Sequence, residues 1–173
     1  MNILFVDKDD KPIGAGSKKE AWEKGIAHRI ARIFLFNSKG DFLLQKRSQF
    51  VDAPLVYDQS AAGHVDEGEE YEQAAYRELE EELGVKGILL TEVARYYREQ
   101  SKVKQETIDP PRKRFNALYT GVYDGEFVTS PREVAEVRWV TLPELEAWIA
   151  RQRGDFSEGF LYAYEKFKES QPR

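Results

Sequence analysis

The apolar positions of this chain come in short runs broken by polar turns, and the spacing within each run indicates the element it forms. Residues 3–6 and 12–14 flank the polar stretch 7–11 and predict a short hairpin, with a helix over 18–24. Residues 27–37 (AHRIARIFLFN) and 41–47 (DFLLQKR) are rich in β-branched, aromatic and leucine residues. The turn Ser38-Lys39-Gly40 joins them, so they predict an antiparallel strand pair. Residues 48–58, with Pro54, read as loop, and 59–65 as a short strand. From Glu70 to Leu83 the period changes to that of a helix, with Ala75, Leu79 and Leu83 forming an apolar stripe. Strands follow at 88–98, 115–123 and 134–140, with a polar loop carrying Pro110 and Pro111 predicted over 101–114. Residues 142–152 predict a helix capped by Thr141 with Glu144 three positions on. The last element is an amphipathic helix over 156–168 that places Phe160, Tyr164 and Phe167 on one face. Strands interspersed with a few helices make this an α+β chain.

The 70–83 helix carries the chemistry. At about 100° per residue, Glu78, Glu81 and Glu82 fall on one face, although like charges one turn apart destabilise a helix by a few tenths of a kcal/mol per pair. A hard cation with oxygen ligands would turn that repulsion into coordination; a solvated acidic face is the ordinary alternative. Segment 63–85 holds nine acids and one base, a local charge of −8, whereas the whole chain is −5 and the remainder therefore +3. Arg77 lies one turn before Glu81 and can pair with it. Gly84 suits the left-handed position that ends a helix, and Gly63 ends the preceding strand where a missing Cβ allows close approach.

Segment 63–85, GHVDEGEEYEQAAYRELEEELGV, resembles the Nudix box. Gly63, Glu69, Arg77, Glu78, Leu79, Glu81, Glu82, Gly84 and Val85 occupy all nine of its specified positions. The resemblance implies a Nudix-type α/β/α sandwich around a mixed β-sheet. It would form one domain over 1–173, with an N-terminal β-hairpin extension (1–26) and a C-terminal helix reaching residue 169. It implies a Mg²⁺- (or Mn²⁺-) dependent hydrolase cleaving a diphosphate bond in a nucleoside diphosphate-linked substrate. Glu78, Glu82, Glu81 and the carbonyl of Gly63 are the expected metal ligands. Glu81, Glu82 and Arg77 are the expected catalytic group, with Arg77 orienting carboxylates. The general base is open among Glu81, Glu133 and Glu136, the last two being more commonly solvated surface residues. Lys46, Arg47, Arg98 and Arg114, at strand ends, are candidate phosphate contacts. A homodimer is common in the family.

The opening VDKDDKPIG, the AHRIARIFLFNSKGDFLLQKRS run and the Ala-Gly-His at 62–64 look like the isopentenyl-diphosphate-isomerase-type branch. His28 and His64 match two histidine ligands of the isomerases. Ala62, however, stands where the isomerase cysteine would be, and the chain has no cysteine and only two histidines. The resemblance therefore points to hydrolase chemistry on that scaffold. Nudix-fold domains that sense nucleotides without hydrolysing them commonly lose box glutamates, which are all retained here.

Composition narrows the rest. With 41% hydrophobic and 33% charged residues the chain is typical of folded globular proteins. Absence of cysteine excludes disulfides, thiolate metal sites and cysteine nucleophiles. A pI near 5.3 argues against a broad basic face for polymeric nucleic acid. No apolar run reaches the roughly 18–20 residues of a membrane span, and the N-terminus lacks signal-peptide patterning, so a cytoplasmic location is expected. The expected partner is a small nucleotide or diphosphate substrate.

Overall fold

A computed structural model describes residues 1–172. The strands are β1 (Ile3–Val6), β2 (Pro12–Gly16), β3 (Ala27–Phe36), β4 (Phe42–Arg47), β5 (Tyr57–Asp58), β6 (Ala61–His64), β7 (Thr91–Val103), β8 (Glu106–Val122) and β9 (Val134–Val140). The helices are α1 (Lys18–Lys24), α2 (Tyr71–Leu83), α3 (Leu142–Arg151) and α4 (Glu158–Ser170), with a 3-10 turn at Arg153–Asp155.

β3 is the hub, and its sequence explains why. Its ten residues are nearly all buried, as a strand covered on both faces must be. Ala31, Ile33 and Leu35 pack with Ala75, Leu79 and Leu83 of α2 on one face. On the other, Phe34 meets Phe42, Leu145 of α3, and Phe160 and Phe167 of α4. The result is an α+β sandwich with helices on both faces of a mixed, open sheet. Along one edge β3 runs parallel to β8 from His28↔Arg114 to Phe36↔Val122. Its other edge is shared by β1, β6 and, at Phe36↔Phe42, β4. The N-terminal hairpin forms as expected, and β1 docks it on β3.

The predicted β3–β4 hairpin is corrected in part. The two strands meet at one residue pair and then diverge, because β4 takes β9 as its antiparallel partner over Phe42↔Val140 to Arg47↔Val134. This divergence leaves β6 with no partner on its second edge among the described residues. The predicted polar loop over 101–114 is also corrected. β7 and β8 form one long hairpin turning at Lys104 and Gln105, both with positive φ. Such a two-residue turn usually calls for Asn or Gly, and Lys-Gln at this position carries no such signal. Pro110 and Pro111 fall in the register shift between Gln100↔Arg112 and Lys102↔Thr107, where no ladder N–H is needed. The predicted strand start at 88 moves to Thr91, and the last helix starts at Glu158, capped by Ser157, instead of at 156.

Candidate metal and active site

The acidic site is assembled by α2, β6, β4 and the approach to β9. Burial of Leu79 and Leu83 turns α2 so that Glu78 and Glu82, one turn apart, lie against the sheet edge at 8% and 5% exposure. Gly63 faces them from β6. A Cβ built there would collide with the Glu78 carboxylate, so the glycine supplies the room in which that carboxylate sits. Glu82 accepts from the Gln45 side-chain amide, which also donates to the Ser60 carbonyl at 3.0 Å. It lies 3.4 Å from the Ala62 backbone N–H, on the unpaired edge of β6.

The third carboxylate is Glu133. The chain after β8 caps the end of α2, with Val128 N–H donating to the Leu83 carbonyl and Ser130 N–H to that of Glu82, both at 3.0 Å. Glu133 N–H in turn bonds the Ser130 carbonyl, so the capping segment delivers Glu133 to the helix. Glu78, Glu82 and Glu133 each offer an oxygen within 4.8 Å of the others. Burial, the nearby Glu81 and Glu133, and only partial relief from Arg77 push the Glu78 carboxyl up to about 7. Burial and Glu78 push Glu82 well above its ordinary range, against the Gln45 hydrogen bond. Two buried carboxylates and a third beside them, all hard oxygen donors, match what a Mg²⁺- or Mn²⁺-sized cation requires.

Arg77 organises the carboxylates. It donates to both oxygens of Glu69 (2.7 and 2.9 Å), to Glu78 (2.7 Å) and to the His64 carbonyl (2.9 Å). It reaches Glu81 at 3.3 Å, the pairing expected from their spacing. The Arg77 hydrogen bonds hold the Glu69 carboxyl below its usual range. Glu81 itself is half-exposed and outside the group of three. Glu136 lies elsewhere, accepting from the Tyr57 hydroxyl at 2.6 Å.

The four candidate phosphate contacts separate. Arg47 is committed to its own loop, donating to Asp58 at 2.9 Å and to the carbonyls of Asp52 and Ala53. Lys46 lies over the Tyr57 ring at 5.5 Å. Arg98 and Arg114 face each other across β7 and β8, on the side of the sheet away from Gly63 and Glu78. His28 and His64 stack at 5.2 Å between ring centroids. Gln45 was missed from sequence, although a buried glutamine within the apolar FLLQKR run was a legible signal.

Comparison with known proteins agrees with this architecture. The NUDIX domain model matches residues 27–160, and the chain belongs to the Nudix family. It is 33% identical over 150 residues to an uncharacterised Nudix hydrolase of Pseudomonas aeruginosa, covering 86% of this chain and 83% of that protein. It is 34% identical over 149 residues to isopentenyl-diphosphate Delta-isomerase 2 of Photorhabdus laumondii, covering 85% and 81%. Among solved structures, the DR0079 protein of Deinococcus radiodurans superposes with a TM-score of 0.70 at 27% identity, over 87% of this chain and 90% of that one. The relatives thus include proteins named as hydrolases and others named as isomerases, as expected for this branch.

Proposed function

We propose that this protein is a Mg²⁺- or Mn²⁺-dependent hydrolase that cleaves the diphosphate bond of a nucleoside diphosphate-linked substrate. The observation that carries this reading is the meeting of Glu78, Glu82 and Glu133 at one edge of α2, two of them buried. These three, with the Gly63 carbonyl suggested by the box, would hold the cation. When bound, the cation would neutralise phosphate oxygens and acidify the attacking water. Either Glu133, the least buried of the three, or the half-exposed Glu81 would take the proton of the attacking water. Arg77 is a positioning residue that fixes Glu78 through its bond to Glu69, and Gln45 fixes Glu82.

Formation of an allylic isomer from a five-carbon diphosphate is the second reading, favoured by the names of several relatives. Two features oppose it: the chain has no cysteine, and the surroundings of His28 and His64 are strongly cationic, with Arg114 and Arg32 close by. A site of that sign disfavours the carbocation formed by protonating a double bond.

A phosphate-release screen with Mg²⁺ decides between the readings. It would span nucleoside triphosphates, diphosphate sugars, dinucleoside polyphosphates, coenzyme A and dinucleotide cofactors. Turnover of at least one class, abolished by EDTA, is expected. No turnover of any class, with isomer formation from a five-carbon diphosphate, would reverse the assignment.

The raised carboxyls also set a pH dependence. Glu78 titrates near 7 in the folded protein against a reference value of 4.5, and Glu82 is raised as well. Between those values the folded chain holds more protons than the unfolded chain, so these groups stabilise it fully only below the window, and that stability is lost as pH rises through it. A cation competes with the same protons. The rise in unfolding temperature caused by Mg²⁺ is therefore expected to be larger at about pH 8 than at about pH 5.5. Thermal unfolding with Mg²⁺ and with EDTA at both values checks this, and equal rises would contradict it.

A further inference from the structure

A second group of charged residues lies on the opposite face of β6. Gly63 turns toward Glu78, but its neighbour Ala62 pairs with Arg32 of β3, whose side chain occupies the other side of the sheet. Arg114 pairs with His28 on one side and with Arg98 on the other, which places all three on that same face. Arg112 lies at the rim, its guanidinium 3.7 Å from the centre of the Trp22 ring.

Arg29, Arg47, Arg77 and Arg95 each meet a carboxylate at 2.7–2.9 Å. Arg32, Arg98, Arg112 and Arg114 have none within 4.0 Å among the described residues. The exposed Arg132, Arg138, Arg151 and Arg153 also form no ion pair among those residues, but Arg32, Arg98, Arg112 and Arg114 are buried or partly buried. Arg32, only 7% exposed, donates instead to the neutral side chains of Asn116 and Gln59, both at 2.9 Å. Arg114 donates to Gln100 at 3.1 Å, and Arg98 lies over the Tyr162 ring at 5.2 Å. Asp52, an acid close enough to feel the charge of Arg112, is engaged by Lys18 at 2.6 Å. α4 adds its own polarity, since its second residue, Gly159, approaches so closely that a Cβ would stand 3.2 Å from both terminal nitrogens of Arg32. Two buried polar atoms in the same region, His28 Nε2 and the Tyr96 hydroxyl, have no hydrogen-bond partner. Burial, together with Arg32, Arg98 and Arg112, pushes Arg114 down to about 9.

Leaving buried guanidinium groups without a counter-charge is costly, and orphaned buried donors and acceptors call for a missing partner. We propose that Arg98, Arg112 and Arg114, with the charge of the buried Arg32 added to theirs, bind a phosphate group of the substrate, distinct from the diphosphate at the glutamates across β6. Four cations without an ion-pair partner suit a phosphate dianion better than a carboxylate, and planar guanidinium forks match its oxygens. The unpaired edge of β6, where Ala62 N–H points to Glu82, lies between the two groups, so one extended ligand crossing it reaches both. This inference rests on the proposed hydrolase reading for the identity of the ligand. It narrows the substrate class to diphosphate-linked compounds carrying an additional phosphate.

The test is calorimetric titration of the protein in EDTA with inorganic phosphate, at constant ionic strength set with sodium chloride. Wild type binds. Arg114→Gln weakens binding roughly tenfold or more, as loss of a charged hydrogen-bonding partner does, and Glu82→Gln does not weaken it. Arg98→Gln, at a less enclosed position, repeats the measurement if Arg114→Gln fails to fold. In turnover assays inorganic phosphate then competes with substrate. Absence of phosphate binding to wild type, or equal weakening by Glu82→Gln, would remove the site. Noncompetitive inhibition would remove its assignment to the substrate. The titration needs neither metal nor turnover, so its outcome is separate from that of the hydrolase reading.

Discussion

Glu82→Gln is expected to lower Mg²⁺-dependent hydrolysis by about a thousandfold, while leaving the unfolding temperature in EDTA unchanged or higher. The two effects have one cause. A metal-held phosphate gains several kcal/mol of charge stabilisation, and every 1.36 kcal/mol lost from it is about tenfold in rate. Glu82 is 5% exposed and faces Glu78 and Glu133, so in the absence of a cation its charge is a liability. The amide keeps the shape and can still accept from Gln45, which removes repulsion without opening a cavity. The Mg²⁺-induced rise in unfolding temperature should vanish in the same variant. Glu133→Gln and Glu81→Gln then identify the base: the variant whose pH–rate profile loses its acidic limb held the proton-accepting carboxylate. Normal turnover by Glu82→Gln would overturn the metal assignment.

The sequence made some of this visible because box and helix carry local signals. Glu78 and Glu82 are one turn apart on a helix whose apolar stripe fixes their direction, and Gly84 takes the left-handed conformation with φ 68° that its position suggested. Glu133 was different: it stood in the sequence only as one of three candidate bases, with nothing to join it to the acidic cluster. It is fifty-one positions from Glu82 in sequence, and only the hydrogen bonds of Val128 and Ser130 to the end of α2 bring it there. Nothing in a linear pattern reports such a cap. Glu81 shows the converse: helical periodicity groups it with Glu78 and Glu82, yet it faces half toward solvent beside Arg77, because the sheet edge meets only one side of the acidic face. The β7–β8 hairpin was obscured because prolines in a register shift look the same as prolines in a loop. Arg32 was legible in principle, being a charged residue inside the ten-residue run of β3, where burial on both faces leaves no exit to solvent.

Gly63→Ala is expected to damage the site by a different route, through shape alone. The backbone at Gly63 is not in the left-handed region, so alanine meets no conformational penalty there. Its Cβ would overlap the Glu78 carboxylate, which must then shift outward from its place between Arg77 and β6. The atoms struck end a flexible side chain, so the cost is that of the Arg77–Glu78 hydrogen bond it gives up, about 1.5–3 kcal/mol, equivalent to a fall of roughly 3–12 °C in unfolding temperature for a chain of this size. Displacing a catalytic group by about 1 Å can cost about a hundredfold in rate, and hydrolysis should fall by that order. A double-mutant cycle separates this cause from general destabilisation. Glu78→Ala removes the side chain that the new Cβ strikes, so Gly63→Ala should lower the unfolding temperature far less in the Glu78→Ala background than in wild type. Equal losses in the two backgrounds would show that Gly63 serves the strand and not the carboxylate.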